Sequence, residues 1–159
     1  MTDDDLLSRH DLDRFVDAQE ADGTYDHALR ELRGGRKRGH WMWFVFPQVA
    51  GLGTSATSRR FALETVGAAR AFLAHPVLGP RLLDCVDALL ELPDGRGEDA
   101  DGGGTPAPSA VDVLGDVDAM KLHSSLTLFA QADPSEERFS RALGRFFDGT
   151  LDPATLERL

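Results

Sequence analysis

His40-Trp41-Met42-Trp43-Phe44-Val45-Phe46 is the most apolar stretch of the chain, and its reading decides the fold class. Every residue after His40 is apolar, so periodicity cannot separate a buried strand from a buried helix. Pro47 ends the run. The surroundings decide it. A lone strand leaves its backbone N–H and C=O groups unpaired, and no second segment reads clearly as a strand. The stretch is therefore expected to form a short buried helix in an all-α protein.

Outward from this block the period is helical. Leu12, Phe15, Val16 and Gln19 fall at i, i+3, i+4 and i+7 behind Asp11, a good N-cap. Thr24 heads a stripe of Tyr25, Ala28, Leu29 and Leu32 that Gly34-Gly35 stops, giving a helical hairpin across Asp22-Gly23. On the other side, Gly51-Leu52-Gly53-Thr54-Ser55 reads as a loop. Ser58 then caps a helix carrying Phe61, Ala62, Thr65, Val66, Ala69, Phe72 and Leu73. His75-Pro76 breaks it, and Pro76 suits the first turn of a helix with Val77, Leu78, Arg81, Leu82, Cys85, Val86, Leu89 and Leu92. Residues 93–108, PDGRGEDADGGGTPAP, contain no large apolar side chain and predict a flexible surface insertion. Val111 and Leu114 mark a short helix closed by Gly115. Asp116 heads a longer one through Val117, Met120, Lys121, Ser124, Leu128 and Gln131. Phe139, Ala142, Leu143, Phe146 and Phe147 stripe the next, and Asp152-Pro153 opens a last one with Leu156 and Leu159 inward. The expectation is a compact multihelical single domain, residues 1–159, of seven to eight helices.

Composition bounds the function. The 159 residues suffice for one core. No apolar run approaches the ~20 residues of a membrane span, and Met1-Thr2-Asp3-Asp4-Asp5 is acidic where a signal peptide would be basic. No membrane partner and a cytoplasmic location are expected. The single Cys85 excludes an intramolecular disulfide and a multi-cysteine zinc site, and the five histidines contain no H-x-x-x-H pair. Neither a metal nor a cofactor is expected. A net charge of −10 argues against coating duplex nucleic acid, which takes Lys and Arg against phosphate.

One stretch departs from that balance. Arg30, Arg33, Arg36, Lys37 and Arg38 lie within nine positions beside the single acid Glu31. Removing these five bases and one acid from the 17 and 27 leaves 12 against 26, a net of −14. The knot runs past Gly34-Gly35 into Trp41 and Trp43. Guanidinium and ammonium groups beside indoles suit a phosphate with an attached ring. The competing reading is that the bases neutralise helix C-terminal carbonyls and the tryptophans are core. Gly34-Gly35-Arg36-Lys37 lacks the spacing and the Ser/Thr of a P-loop.

Other polar residues join as candidates. His40 at the mouth of the apolar block has the chemistry of a general acid or base, or of a structural hydrogen bonder. Gln48 after Pro47 would read a ligand's polar edge or cap a backbone group. Lys121 meets Ser124 and Ser125 at i+3 and i+4 on one helix. The order of a Ser-x-x-Lys nucleophile is reversed there, and small serines also admit a close neighbouring helix. His123 points away from Ser124 and is expected at the surface. Gln19 lies on a buried stripe, so its amide needs a partner or a ligand. Asp17 and Glu20 beside it read as solvated.

Together these segments resemble the domain-of-unknown-function family numbered 1810, bacterial and fungal proteins of uncharacterised role. The resemblance rests on Asp11-Leu12-Asp13-Arg14-Phe15 with Ala18-Gln19, on Tyr25 with Ala28-Leu29 and Glu31-Leu32, and on Gly35-Arg36-Lys37 with His40 through Gln48. It continues in Gly51-Leu52-Gly53, His75-Pro76-Val77-Leu78-Gly79 with Arg81-Leu82, and Asp118 through Leu122 with Ser124 through Phe129. It implies an all-α, multihelical fold. A second likeness adds direction. Phe15-x-x-Ala18-Gln19 followed by Gly35-Arg36 and a nearby Trp is similar in order to the NADAR family, helical proteins linked to NAD and ADP-ribose derivatives that include N-glycosidases. Glu20 stands where that family has Lys, and an N-terminal region with its catalytic acid is not evident.

The expected function is binding of a small phosphorylated or nucleotide-like anion of the NAD or ADP-ribose type, with N-glycosidase-like hydrolysis as an extension. Arg36 and Lys37 would hold phosphate, with Lys121, Ser124 and Ser125 as further ligand-side groups. Trp41 or Trp43 would stack the ring, Gln19 and Gln48 would read polar edges, and His40 or Glu20 would handle the proton. The alternative is a non-enzymatic module whose basic patch meets an acidic protein partner of unknown identity.

Overall fold

A computed structural model describes residues 3–93 and 107–159, with side chains from Leu12 onward. The fold is all-α. In chain order the elements are α1 (Asp3–Glu20), a 3-10 turn (Ala21–Gly23), α2 (Thr24–Arg33), α3 (Met42–Val45), α4 (Ala56–Arg60), α5 (Val66–Ala74), α6 (Leu78–Leu90), α7 (Ala110–Leu114), α8 (Asp116–Ala132), α9 (Glu137–Phe147) and α10 (Pro153–Leu156). Among these, α3, α4, α7 and α10 are single turns of four or five residues. α1 starts at Asp3, so Asp11 lies inside the helix instead of capping it. Most of the segment expected as a flexible insertion at 93–108 falls outside the described residues.

α8 is the hub: it packs against α5, α7, α9 and α10, while α6 lies against α2, α5 and α9. Rings carry the core across these helices. Phe15 of α1 meets Phe72 of α5 edge-on at 5.2 Å, Phe72 meets Phe129 of α8 at 5.5 Å, and Phe129 stacks on Phe139 of α9 at 5.6 Å. The 40–46 block becomes the one-turn α3, with Trp41, Met42, Val45 and Phe46 all buried.

Two local expectations are corrected. The single helix expected from Ser58 to Leu73 is two. Ser55 caps α4 by accepting from the Ser58 N–H at 3.1 Å, and Thr65 caps α5 by accepting from the Ala68 N–H at 3.0 Å. Between them Leu63 makes an isolated parallel bridge with Val49, through Leu63 N–H to Gln48 O at 2.9 Å and Ala50 N–H to Leu63 O at 2.8 Å. Arg14 of α1 holds this break open by donating to the carbonyls of Arg60 at 2.5 Å and Ala62 at 3.0 Å. Those carbonyls would otherwise be satisfied by continuing the helix. The second correction is one of phase. Val117 and Met120 face outward, and so do Leu156 and Leu159 at the C-terminus; the buried face of α8 runs through Ala119, Leu122, Leu126 and Phe129.

Candidate functional site

The basic knot is divided by its own backbone. Gly35, at φ +76, turns the chain out of α2. From there the N–H groups of Arg38 and Gly39 and the indole N–H of Trp41 all converge on Glu31 Oε1, at 2.5, 2.7 and 3.1 Å. Burial pulls the Glu31 pKa upward, but those three donors, with Lys37 close by, outweigh it and hold the carboxyl below its ordinary value. Glu31 is the residue that sequence reading missed. Its signal was available: it is the single acid among five bases.

Lys37 turns inward and Arg36, Arg38 and His40 turn outward to the surface. The Lys37 ammonium binds Asp118 Oδ2 at 2.8 Å, donates to the Gly39 carbonyl, and sits 5.1 Å from the Trp41 ring centre. Lys121 binds the other oxygen of the same carboxylate at 3.0 Å and lies 4.0 Å over the Trp43 ring. The result is a layer of indole, ammonium, carboxylate, ammonium and indole. The anion held by these lysines is Asp118, supplied by the chain itself. Burial raises the Asp118 pKa, and hydrogen bonds from the two lysines more than reverse this, leaving it below the ordinary value. Trp41 is 1% exposed, so its face is closed to any ring, whereas Trp43 is half-buried.

The remaining candidates fall into separate places. Gln19 is buried and donates to the Phe44 carbonyl at 2.7 Å, tying α1 to α3, while its oxygen accepts from Arg81 at 3.3 Å. Glu20 is mostly exposed and pairs with Arg81 at 2.6 Å. Ser124 donates to Asp152 Oδ2 at 2.9 Å, joining α8 to the cap of α10. Burial opposes ionisation of Asp152, but donation from Thr155 and Ser124 prevails and lowers its pKa. Ser125 is fully buried in α8. His123 is half-buried, stacked on Phe147 at 4.3 Å with Nε2 2.8 Å from the Thr150 carbonyl. Cys85 is enclosed, and burial pushes its thiol up to about 12, which leaves it unreactive as a thiolate.

Two of the expected residues, Trp43 and Gln48, meet elsewhere. They line a cleft of about 990 Å³ between α1, the 48–53 loop, the 58–65 segment and the start of α5. Its wall also carries Arg59, Arg60, Glu64 and Thr65, with the amide end of α5 at Gly67 and Ala68. Gly53 is required here, because a Cβ would lie 2.6 Å from Ser58 Cβ; the loop seats directly on α4. Gln48 is 7% exposed, and its amide nitrogen has no hydrogen-bond partner among the described residues. A buried amide donor left unpaired costs about 1–3 kcal/mol. Neither His40, Glu20, Arg36 nor Lys121 contributes to this wall.

Fold and site define a small all-α protein with an internal cation–indole layer and an open cleft beside it. A family model, Protein of unknown function (DUF1810), matches residues 9–159, and the chain belongs to that family. It is similar to the conserved hypothetical protein Rv1873 from Mycobacterium tuberculosis, whose crystal structure was solved at 1.38 Å. The two are 40% identical with a TM-score of 0.81, covering 94% of this chain and 96% of that one. No curated protein matches the sequence. Among the described residues no helix is long and apolar enough to cross a membrane.

Proposed function

We propose that the protein binds a small phosphorylated, nucleotide-like anion in the cleft lined by Trp43 and Gln48. The observation that carries this reading is the enclosed, unpartnered amide of Gln48 in the wall of a cleft of about 990 Å³. Such a volume lies at the upper end of the ~300–1,000 Å³ common for small-molecule sites. Arg59 and Arg60 at the end of α4 supply guanidinium forks, and the N-terminus of α5 adds the positive end of a helix dipole. Trp43 offers an indole for the ring. The anion-binding role passes from Arg36 and Lys37 to this arginine pair. Hydrolysis is not part of the proposal, since His40 and Glu20 contribute nothing to the wall.

The likeness to NAD- and ADP-ribose-linked proteins selects the probes. ADP-ribose, NAD, AMP and inorganic phosphate are titrated while tryptophan emission is followed. At least one nucleotide should shift the emission, and Trp43→Phe should abolish that signal. Arg59→Ala with Arg60→Ala should weaken binding by more than about tenfold, the loss of roughly one strong charge-assisted contact. Gln48→Leu should weaken it by a smaller factor without destabilising the fold, because it removes an unpaired donor. No response to any probe at millimolar concentration overturns the reading.

A further inference from the structure

Along the segment from Arg36 to Trp41, which bends at Gly39 and His40, exposure alternates: Arg36, Arg38 and His40 are exposed, Lys37 and Gly39 are half-covered, and Trp41 is buried. Its exposed residues form a comb of two guanidinium groups and an imidazole. Arg30 and Arg33, exposed in the last turn of α2, prolong it. The comb is fixed from behind. Glu31 takes the Arg38 and Gly39 amides, the Lys37 N–H donates to Val113 O at 2.7 Å, and the Lys37 ammonium holds Asp118. The last two contacts set the segment against the α7–α8 corner. The three most exposed large apolar side chains among the described residues belong to that corner: Met120 at 72%, Val117 at 67% and Val111 at 49%.

Exposed arginines on a pinned backbone, next to a corner with an exposed methionine and valines, have the composition of a protein interface. The charge selects the partner. A row of cations on a molecule whose other residues sum to −14 presents one attractive face to an acidic chain. Nucleic acid fits the same charge less well: single strands are gripped by stacking on exposed rings, and the exposed large apolar side chains among the described residues include no aromatic. We infer that this face docks an acidic protein segment, with carboxylates on Arg36 and Arg38 and an apolar side chain against Val117 and Met120. None of these residues contributes to the cleft wall, so this inference and the cleft reading stand or fall separately.

The test uses a fluorescein-labelled peptide with glutamate at alternate positions, serine between them and leucine at the centre, followed by anisotropy. It should bind, and bind more weakly as salt rises. Arg36→Glu with Arg38→Glu should reduce affinity at least about tenfold, and Met120→Ser about threefold. Both variants should keep the parent's thermal midpoint, because the side chains are exposed. Arg36→Gln with Arg38→Gln gives a milder second measurement should charge reversal disturb folding. Unchanged affinity in the glutamine variant overturns the inference. So does a leucine-free peptide that binds equally well, or an oligothymidylate of equal charge that competes as well as the peptide itself.

Discussion

Asp118 occupies the position that an external anion would take between two tryptophan-backed lysines. Its carboxylate is mostly buried, and Lys37, at 8% side-chain exposure, keeps only the neutral Gly39 carbonyl if that partner goes. Asp118→Asn keeps the shape and removes the charge. Breaking a fully buried pair costs about 3–5 kcal/mol. The 17% exposure of Asp118 and Lys121 discounts this to roughly 2–3 kcal/mol. The urea midpoint should fall accordingly with its slope unchanged, and Trp43 emission should shift as Lys121 loosens. An unchanged midpoint would mean that the layer contributes nothing to stability. This residue also shows where sequence reading stopped. Basic side chains next to indoles were visible, and so was the question of what they hold. The answer lies some eighty positions away in the chain, at a carboxylate indistinguishable in sequence from the other acids of an acidic protein. Gln19 was the reverse case: its place on an apolar stripe demanded a partner, and the Phe44 carbonyl and Arg81 supply it.

At the scale of elements, the crossing of α5 and α6 depends on Gly79. A Cβ there would collide with the Leu73 carbonyl oxygen, which belongs to backbone and cannot step aside. Gly79→Ala should therefore cost about 3 kcal/mol or more, against the modest gain expected for the same change in an unobstructed helix. Thermal melts of this variant and of Gly144→Ala, where a Cβ meets nothing, separate the two effects. The long helices were legible because each shows a 3.6-residue stripe and a stop signal. α4 and α5 ran together because Phe61, Ala62, Thr65 and Val66 continue the helical stripe. The break between them is imposed by Arg14 and by the bridge to the 48–50 segment, neither of which is local. The outward turn of Val117 and Met120 was illegible for another reason. α8 is buried from Ser124 to Phe129 on every side, so its apolar pattern carries little phase. The same lack of phase hid the apolar corner beside the arginine comb.

For the molecule as a whole, three carboxylates tie distant parts of the chain together. Glu31 binds the end of α2 to Trp41, Asp118 binds α8 to the 37–41 segment, and Asp152 binds α10 to Ser124. All three have pKa values lowered by folding, from ordinary values of 4.5, 3.8 and 3.8. The sign follows from proton counting. At neutral pH neither the folded nor the unfolded chain protonates these groups, and their stabilising contribution is complete. As pH drops through the ordinary values, the unfolded chain takes up protons first and the native state loses that advantage. The loss continues until the folded values are passed. Relief of self-repulsion acts in the opposite direction down to the isoelectric point near 4.8, because a net charge of −10 shrinks on acidification; below it, growing positive charge adds to the loss. Short, partly buried hydrogen bonds to a carboxylate outweigh screened surface repulsion. The thermal midpoint should therefore be nearly flat between about pH 8 and 6 and fall steeply below about pH 4.5. Glu31→Gln should start lower at neutral pH and fall less on acidification, because part of what acid removes is already gone. Parallel curves for parent and variant would show that Glu31 does not contribute to the acid sensitivity. A midpoint that rises on acidification would show that self-repulsion, not these ties, governs stability.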